Sequence, residues 1–142
     1  MLKSKAFLDT NILLSALQGD ARTAPLFEQE AMNRHEYFIN PVVLQELYFA
    51  AERFPAKADI SEVTRDLKMI DVDPKSPDRV LKELGRFRNR LAHTNEILIL
   101  GSAMTECDYL VTLDKDLLAI GQVGSLRIVS PEEILQPAEV HK

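Results

Sequence analysis

Five short apolar runs, each separated from the next by residues of helical spacing, constrain this chain more than any other feature. They are residues 6–8, 37–39, 70–73, 109–113 and 126–129, and they are rich in β-branched and aromatic side chains. A strand that must travel through a helix before the next strand returns parallel to it, and successive crossovers of this kind cover the sheet with helices. The expected architecture is therefore α/β: a three-layer α/β/α sandwich around a central, mostly parallel sheet. At 142 residues and 46% hydrophobic content, one domain spanning residues 1–142 is enough to enclose a single core.

The intervening segments carry their own start and stop signals. Residues 12–17 form a short apolar helix closed by Gly19-Asp20, and residues 23–34 have mixed helical spacing. Asn40-Pro41 pairs an N-cap residue with the imino acid tolerated at the first helical position, which predicts a helix over 42–54 and sets Glu46 near its start. A helix over 61–67 places Ile60, Val63, Leu67 and Ile70 on one face, and Ser76 caps a helix over 77–91 that buries Val80, Leu84, Phe87 and Leu91. A very apolar helix follows over 96–106, then a helical turn through Leu118 and a last helix from Pro131.

Composition removes several function classes. The formal net charge of -5 argues against a protein that holds nucleic acid by bulk positive charge. No apolar run approaches the roughly 18 residues of a membrane span, and the N-terminus leads into a strand with no signal peptide, so a cytoplasmic location with no membrane association is expected. The single cysteine, Cys107, can form neither an internal disulfide nor a thiolate metal site and reads as a core residue.

In an open parallel sheet, chemistry gathers beyond the carboxyl ends of the strands. Asp9 and Asp114 follow strand-like runs directly, while Glu46 and Glu96 stand in the first turns of two helices, with Asp116 a possible fifth acid. Any one of these acids is ordinary at a helix N-terminus. Several at one sheet edge would repel and raise one another's pKa unless a cation lay between them. Oxygen-only donors suit Mg2+ or Mn2+, and such a site can orient and deprotonate a water for attack on a phosphodiester. Asn11 and Thr112 are candidate supports for the acids, and Thr10 reads first as a turn residue.

Four segments then carry a family resemblance: Phe7-Leu8-Asp9-Thr10-Asn11-Ile12-Leu13, Val43-Leu44-Gln45-Glu46-Leu47, Glu96 through Ala103, and Leu110-Val111-Thr112-Leu113-Asp114-Lys115-Asp116-Leu117. In this order they resemble the four acidic motifs of the PIN domain family, and in chain length the VapC-type ribonuclease toxins of toxin–antitoxin modules. In the third motif Glu96 stands where the family usually carries Asp. The resemblance implies Mg2+- or Mn2+-dependent RNA cleavage, with Asp9, Glu46, Glu96 and Asp114 as the catalytic, metal-binding acids. It also implies a homodimer and a small antitoxin protein that blocks the site.

Positive charge is concentrated in one place. Residues 79–90 hold Arg79, Lys82, Arg86, Arg88 and Arg90 against Glu83 alone, a local charge of +4 that leaves -9 for the remainder. Arg79, Lys82, Arg86, Arg90 and His93 recur at three- and four-residue spacing, which predicts a stripe on one helix face leading toward Glu96 and able to contact RNA phosphates or an acidic partner. Tyr48, Phe49 and Phe54 lie at helical spacing expected of core or dimer contacts. His35, in a loop-like segment, and His141 carry no functional argument.

Two other phosphate chemistries fit poorly. A dehalogenase-type phosphatase needs a second Asp two positions after the first, where this chain has Asn11, and a receiver domain uses a mid-chain acceptor with a lysine after a later strand, which Lys115, directly after Asp114, fits poorly. A PIN-like fold that persists as a binding or scaffold protein with impaired catalysis, and a nuclease with a housekeeping role, are the remaining alternatives.

Overall fold

The computed structural model of the chain describes residues 2–53, 60–90 and 95–136. Strand β1 (Ser4–Leu8) leads into α1 (Thr10–Leu17), then a 3-10 turn (Ala24–Phe27), α2 (Gln29–Arg34), β2 (His35–Ile39) and α3 (Pro41–Ala51). Next come α4 (Ile60–Thr64), β3 (Lys68–Met69), α5 (Ser76–Leu84), a second 3-10 turn (Gly85–Arg90) and α6 (Asn95–Glu106). The chain ends in β4 (Tyr109–Val111), α7 (Lys115–Ile120), β5 (Gln122–Val123), β6 (Leu126–Val129) and α8 (Pro131–Leu135).

The six strands form one sheet in the order β3-β2-β1-β4-β6-β5. All neighbours are parallel except β5, which pairs antiparallel with β6. The mostly parallel α/β sheet expected from the sequence is the sheet observed. Its centre is β1, which pairs Phe7 with Phe38 of β2 on one side and with Leu110 of β4 on the other. Phe7, Leu8, Leu110 and Val111 are fully enclosed; each such side chain contributes about 1.5–3 kcal/mol relative to exposure. Helices cover this core through Ile12, Leu13, Val43, Leu47, Val80, Leu84 and Leu100.

Several elements differ from their sequence expectation for identifiable reasons. The third strand occupies Lys68–Met69 and not residues 70–73, because pairing with β2 ends where the Ile70 N–H meets the Ile39 carbonyl and the chain turns toward Pro74. The helix expected over 77–91 stops at Leu84. Gly85, at φ +51°, breaks the repeat and the chain continues as a 3-10 turn. Strand β5 was not anticipated; Gly124 at φ +60° makes the tight turn that folds two residues back on β6. His35 opens β2, where its ring nitrogens meet the Ser4 hydroxyl and the Ile134 carbonyl. Cys107 is buried as expected. Phe54, Leu91 and His141 lie outside the described residues. Among the described helices none is long and apolar enough to cross a membrane.

Candidate active site

The first acid is placed by the end of β1. The Asp9 N–H still belongs to the sheet, donating to the Val111 carbonyl at 3.0 Å, while its side chain caps α1, Oδ1 accepting from the Thr10 N–H at 2.8 Å. Oδ2 turns toward the neighbouring strand end, accepting from Thr112 Oγ1 at 2.7 Å and from Asn11 Nδ2 at 3.3 Å. Asn11 completes the stitch: its Nδ2 also donates to Thr112 Oγ1 at 3.2 Å, and its Oδ1 accepts from the Leu113 N–H at 3.0 Å. The two residues read as supports therefore join the β1 and β4 exits directly.

Asp114 repeats the device one strand over. It caps α7, Oδ1 accepting from the N–H groups of Asp116 at 2.8 Å and Leu117 at 3.3 Å, while its own N–H donates to Thr112 Oγ1 at 3.0 Å. Glu46 arrives from the second turn of α3 and is gripped from two directions, Oε1 by the Thr10 hydroxyl at 2.7 Å and Oε2 by Asn95 Nδ2 at 3.3 Å. Glu96, in the first turn of α6, lies within hydrogen-bonding influence of Asp114. Asp116 stays exposed at the rim, near enough to add to the field at Glu96. Thr10, which reads first as a turn residue in the sequence, and Asn95, which the sequence does not mark as a site residue, both contribute. Their signal was adjacency to an acid, which does not reveal that each serves a glutamate on a distant helix.

The electrostatics record the convergence. Burial lifts the Asp9 carboxyl from 3.8 to about 6, with the charges of Glu46 and Asp114 adding and the bonds from Thr112 and Thr10 opposing. Glu96 rises from 4.5 to about 7, through burial first and then the charges of Asp114 and Asp9 and a shared hydrogen bond with Asp114. Among the described residues the ion pairs lie elsewhere, at Lys5–Glu106, Arg22–Glu132, Arg65–Asp66, Lys68–Glu36 and Lys82–Asp78. Nor do any three described His, Cys, Asp or Glu side chains close into a ready-made ion cage. The donor set is all oxygen, with net negative charge and no basic partner among the described residues. It fits a hard divalent cation, which keeps several waters and needs only a few carboxylates.

The helix expected to carry the basic stripe is interrupted among the described residues. Gly85 ends it, so Arg79 and Lys82 lie on α5 while Arg86 lies on the 3-10 turn. Arg79 donates to Thr105 Oγ1 at 2.9 Å, Lys82 pairs with Asp78 at 3.0 Å, and the Arg86 guanidinium sits 5.0 Å from the centre of the Phe87 ring. The Arg90 side chain and His93 lie outside the described residues. Tyr48 and Phe49 are not core residues: Val43 and Leu47 take the inward face of α3, leaving these aromatics 54% and 65% exposed.

An α/β sheet whose two central neighbouring strands each end in a carboxylate, with glutamates delivered from two flanking helices, defines a fold built around an acidic pole. Residues 6–123 match the PIN domain, and the chain belongs to that family. The match includes all four acids and ends at β5. Solved structures share the fold. VapBC2 from Rickettsia felis, bound to a DNA fragment from its promoter, superposes with a TM-score of 0.67 at 18% identity, over 89% of this chain and 98% of that one. A toxin–antitoxin complex from Klebsiella pneumoniae gives 0.67 at 19% identity, over 89% and 97%. Mycobacterium tuberculosis VapC20, described as a sarcin-ricin loop cleaving toxin, gives 0.61 at 16% identity, over 86% and 98%. No curated protein sequence matches the chain.

Proposed function

We propose that this PIN domain is a metal-dependent endoribonuclease that cleaves RNA phosphodiester bonds as the toxin of a toxin–antitoxin pair. The observation that carries this reading is the acidic pole: four carboxylates from four stretches of chain, with Asp9 and Glu96 lifted to about 6 and about 7 and no basic partner among the described residues. Carboxylates held at one another's expense are a signature of a functional site, and a divalent cation is the counter-charge that relieves them. Asp9, Glu46, Glu96 and Asp114 would hold Mg2+ or Mn2+, with Asp116 at the rim. Such an ion polarises a phosphodiester and activates water. Thr112 and Asn11 orient the Asp9 carboxylate, Thr10 and Asn95 orient that of Glu46, and Arg79, Lys82, Arg86 and Arg90 supply positive charge for RNA phosphates or an acidic partner.

The partner in this reading is a small antitoxin protein; fold neighbours that are themselves toxin–antitoxin complexes support it. A homodimer follows from the family resemblance, with the exposed Tyr48 and Phe49 of α3 available for a contact. The location is cytoplasmic.

The deciding experiment incubates purified, antitoxin-free protein with a mixed pool of structured RNA and Mn2+ or Mg2+, beside EDTA and Asp9→Asn controls. Metal-dependent cleavage that disappears in both controls is the expected result, and toxicity on expression relieved by Asp9→Asn separates a toxin from a housekeeping nuclease. A second reading, a PIN-fold binding or scaffold protein with impaired catalysis, draws on two observations. No three described acids close into a cage, and Glu96 replaces the usual Asp. Folded protein without Mn2+ affinity or RNA cleavage would favour it.

A further inference from the structure

Asn40 joins β2 to α3 and is completely buried. One end of its amide performs the cap, Oδ1 accepting from the Val43 N–H at 3.0 Å. Capping needs only that oxygen, and Ser or Asp would supply it equally well. The other end reaches a different element: Nδ2 donates to Ser102 Oγ at 3.0 Å and to the Leu98 carbonyl at 3.3 Å, both on α6. Ser102, 1% exposed, passes the connection on by donating to the Asp71 carbonyl at 3.3 Å. The capping oxygen and the amide nitrogen of Asn40 are thus both engaged, and three segments meet at one buried side chain.

Farther along α3 the contacts move the opposite way along α6. Asn40 meets Leu98 and Ser102, whereas Glu46 meets Asn95 at the start of α6. The two helices are therefore antiparallel where they touch, tied at two points separated by about 9 Å along α3, at about 1.5 Å per residue. Apolar contacts tolerate sliding, while a buried amide hydrogen bond fixes one register. A slip of one turn between α3 and α6, about 5.4 Å, would carry Glu46 away from Asn95 and alter its distance from Glu96.

We infer that Asn40 and Ser102 form a register pin between α3 and α6 and act as positioning residues that set Glu46 against Glu96. The pin itself is a statement about the two helices; its consequence for metal binding rests on the proposed function.

The test uses Asn40→Ser, which keeps a capping oxygen and removes the cross-helix amide, and Ser102→Ala, which leaves the cap untouched. Ser130→Ala, which deletes the capping box of α8, controls for general loss of stability. Mn2+ affinity is read from free-ion electron paramagnetic resonance, and helix placement from the distance between spin labels at Gln45→Cys and Thr105→Cys in otherwise full-length protein. Both pin variants should bind Mn2+ about tenfold more weakly, shift or broaden the label distance, and combine in the double variant with less than the sum of the two losses, since they share the Asn40–Ser102 bond and differ in the bonds to Leu98 and Asp71. Ser130→Ala should bind as wild type. Unchanged label distances overturn the pin. Unchanged Mn2+ affinity with displaced labels overturns the positioning role, as does an equal loss in Ser130→Ala. Wild-type protein that binds no Mn2+ overturns the metal reading and with it the positioning role, leaving the label distance to decide the pin alone.

Discussion

Replacing Asp9 by Asn should make the metal-free protein more stable at pH 7.5 and less stable near pH 4. Asp9 is 7% exposed, and its carboxyl is lifted from 3.8 to about 6, mainly by burial. Between those values the folded protein holds a proton that the unfolded chain has released, so stability falls as pH rises through this window and levels off above it. At 1.36 kcal/mol per pH unit, the gap amounts to about 3 kcal/mol of destabilisation by the ionised carboxylate at neutral pH. Asn carries no charge and escapes it. The exchange is incomplete, because Oδ2 accepts from both Thr112 and Asn11. An amide NH2 in that place confronts the Asn11 donor, which removes about 1–2 kcal/mol.

The net expectation is a gain of about 1–2 kcal/mol at pH 7.5, or roughly 3–6 °C in Tm for a chain of this length. Thermal unfolding followed by circular dichroism in EDTA, from pH 4 to pH 8, measures it for both proteins. The advantage should shrink through pH 6–4 and reverse near pH 4, where both side chains are neutral and only the lost hydrogen bonds remain. A variant less stable than wild type at pH 7.5, or a difference that does not change with pH, would refute the placement of Asp9 as a strained buried acid.

Saturating Mn2+ should raise the wild-type Tm and leave that of Asp9→Asn nearly unmoved; at a hundred times Kd the linkage is worth about 2.7 kcal/mol, and equal shifts in both proteins would place the ion elsewhere. Gly101→Ala should destabilise by about 1–3 kcal/mol through overpacking, because a Cβ there would lie 2.4 Å from Ser76 Oγ and 2.5 Å from Ser76 Cβ. Denaturant unfolding reads that loss, and the companion change Ser76→Gly should recover part of it. Burial holds the His35 pKa below 6.5, so the unfolded chain binds more protons below that pH and stability should fall on acidification; proton NMR titration and a flatter acid limb in His35→Gln check it.

The legible parts of the fold were those fixed by neighbouring residues. Asp9 and Asp114 stood out because an acid directly after an apolar run both terminates a strand and caps the next helix, and Asn40-Pro41 announced α3 for a similarly local reason. The break after α5 was less visible. Val80, Leu84 and Phe87 continue a helical period, and the positive φ of Gly85 stops it, which divides Arg79 and Lys82 from Arg86 between two elements. Strand β5 is two residues long and owes its existence to pairing with β6, so no periodicity could mark it. Helical spacing leaves Tyr48 and Phe49 open to core or dimer contact, and because Val43 and Leu47 take the inward face the core branch closes.

Strand order was beyond any local signal, yet it turns separate acids into one site. From β1 the chain first builds outward through β2 to β3, then returns to lay β4 and β6 on the opposite side. The direction of building reverses between β1 and β4, and connections leaving a sheet in opposite directions open a crevice at that point. Asp9 and Asp114 flank it. There Asn11 and Thr112 bond across the gap, and Thr10 and Asn95 grip Glu46, so four polar residues fix the direction of carboxylates whose charge none of them neutralises. Simple stability would favour an amide or an apolar residue at position 9. A buried carboxylate, aimed and unneutralised at the point where the strand order reverses, is what the proposed cation site would require.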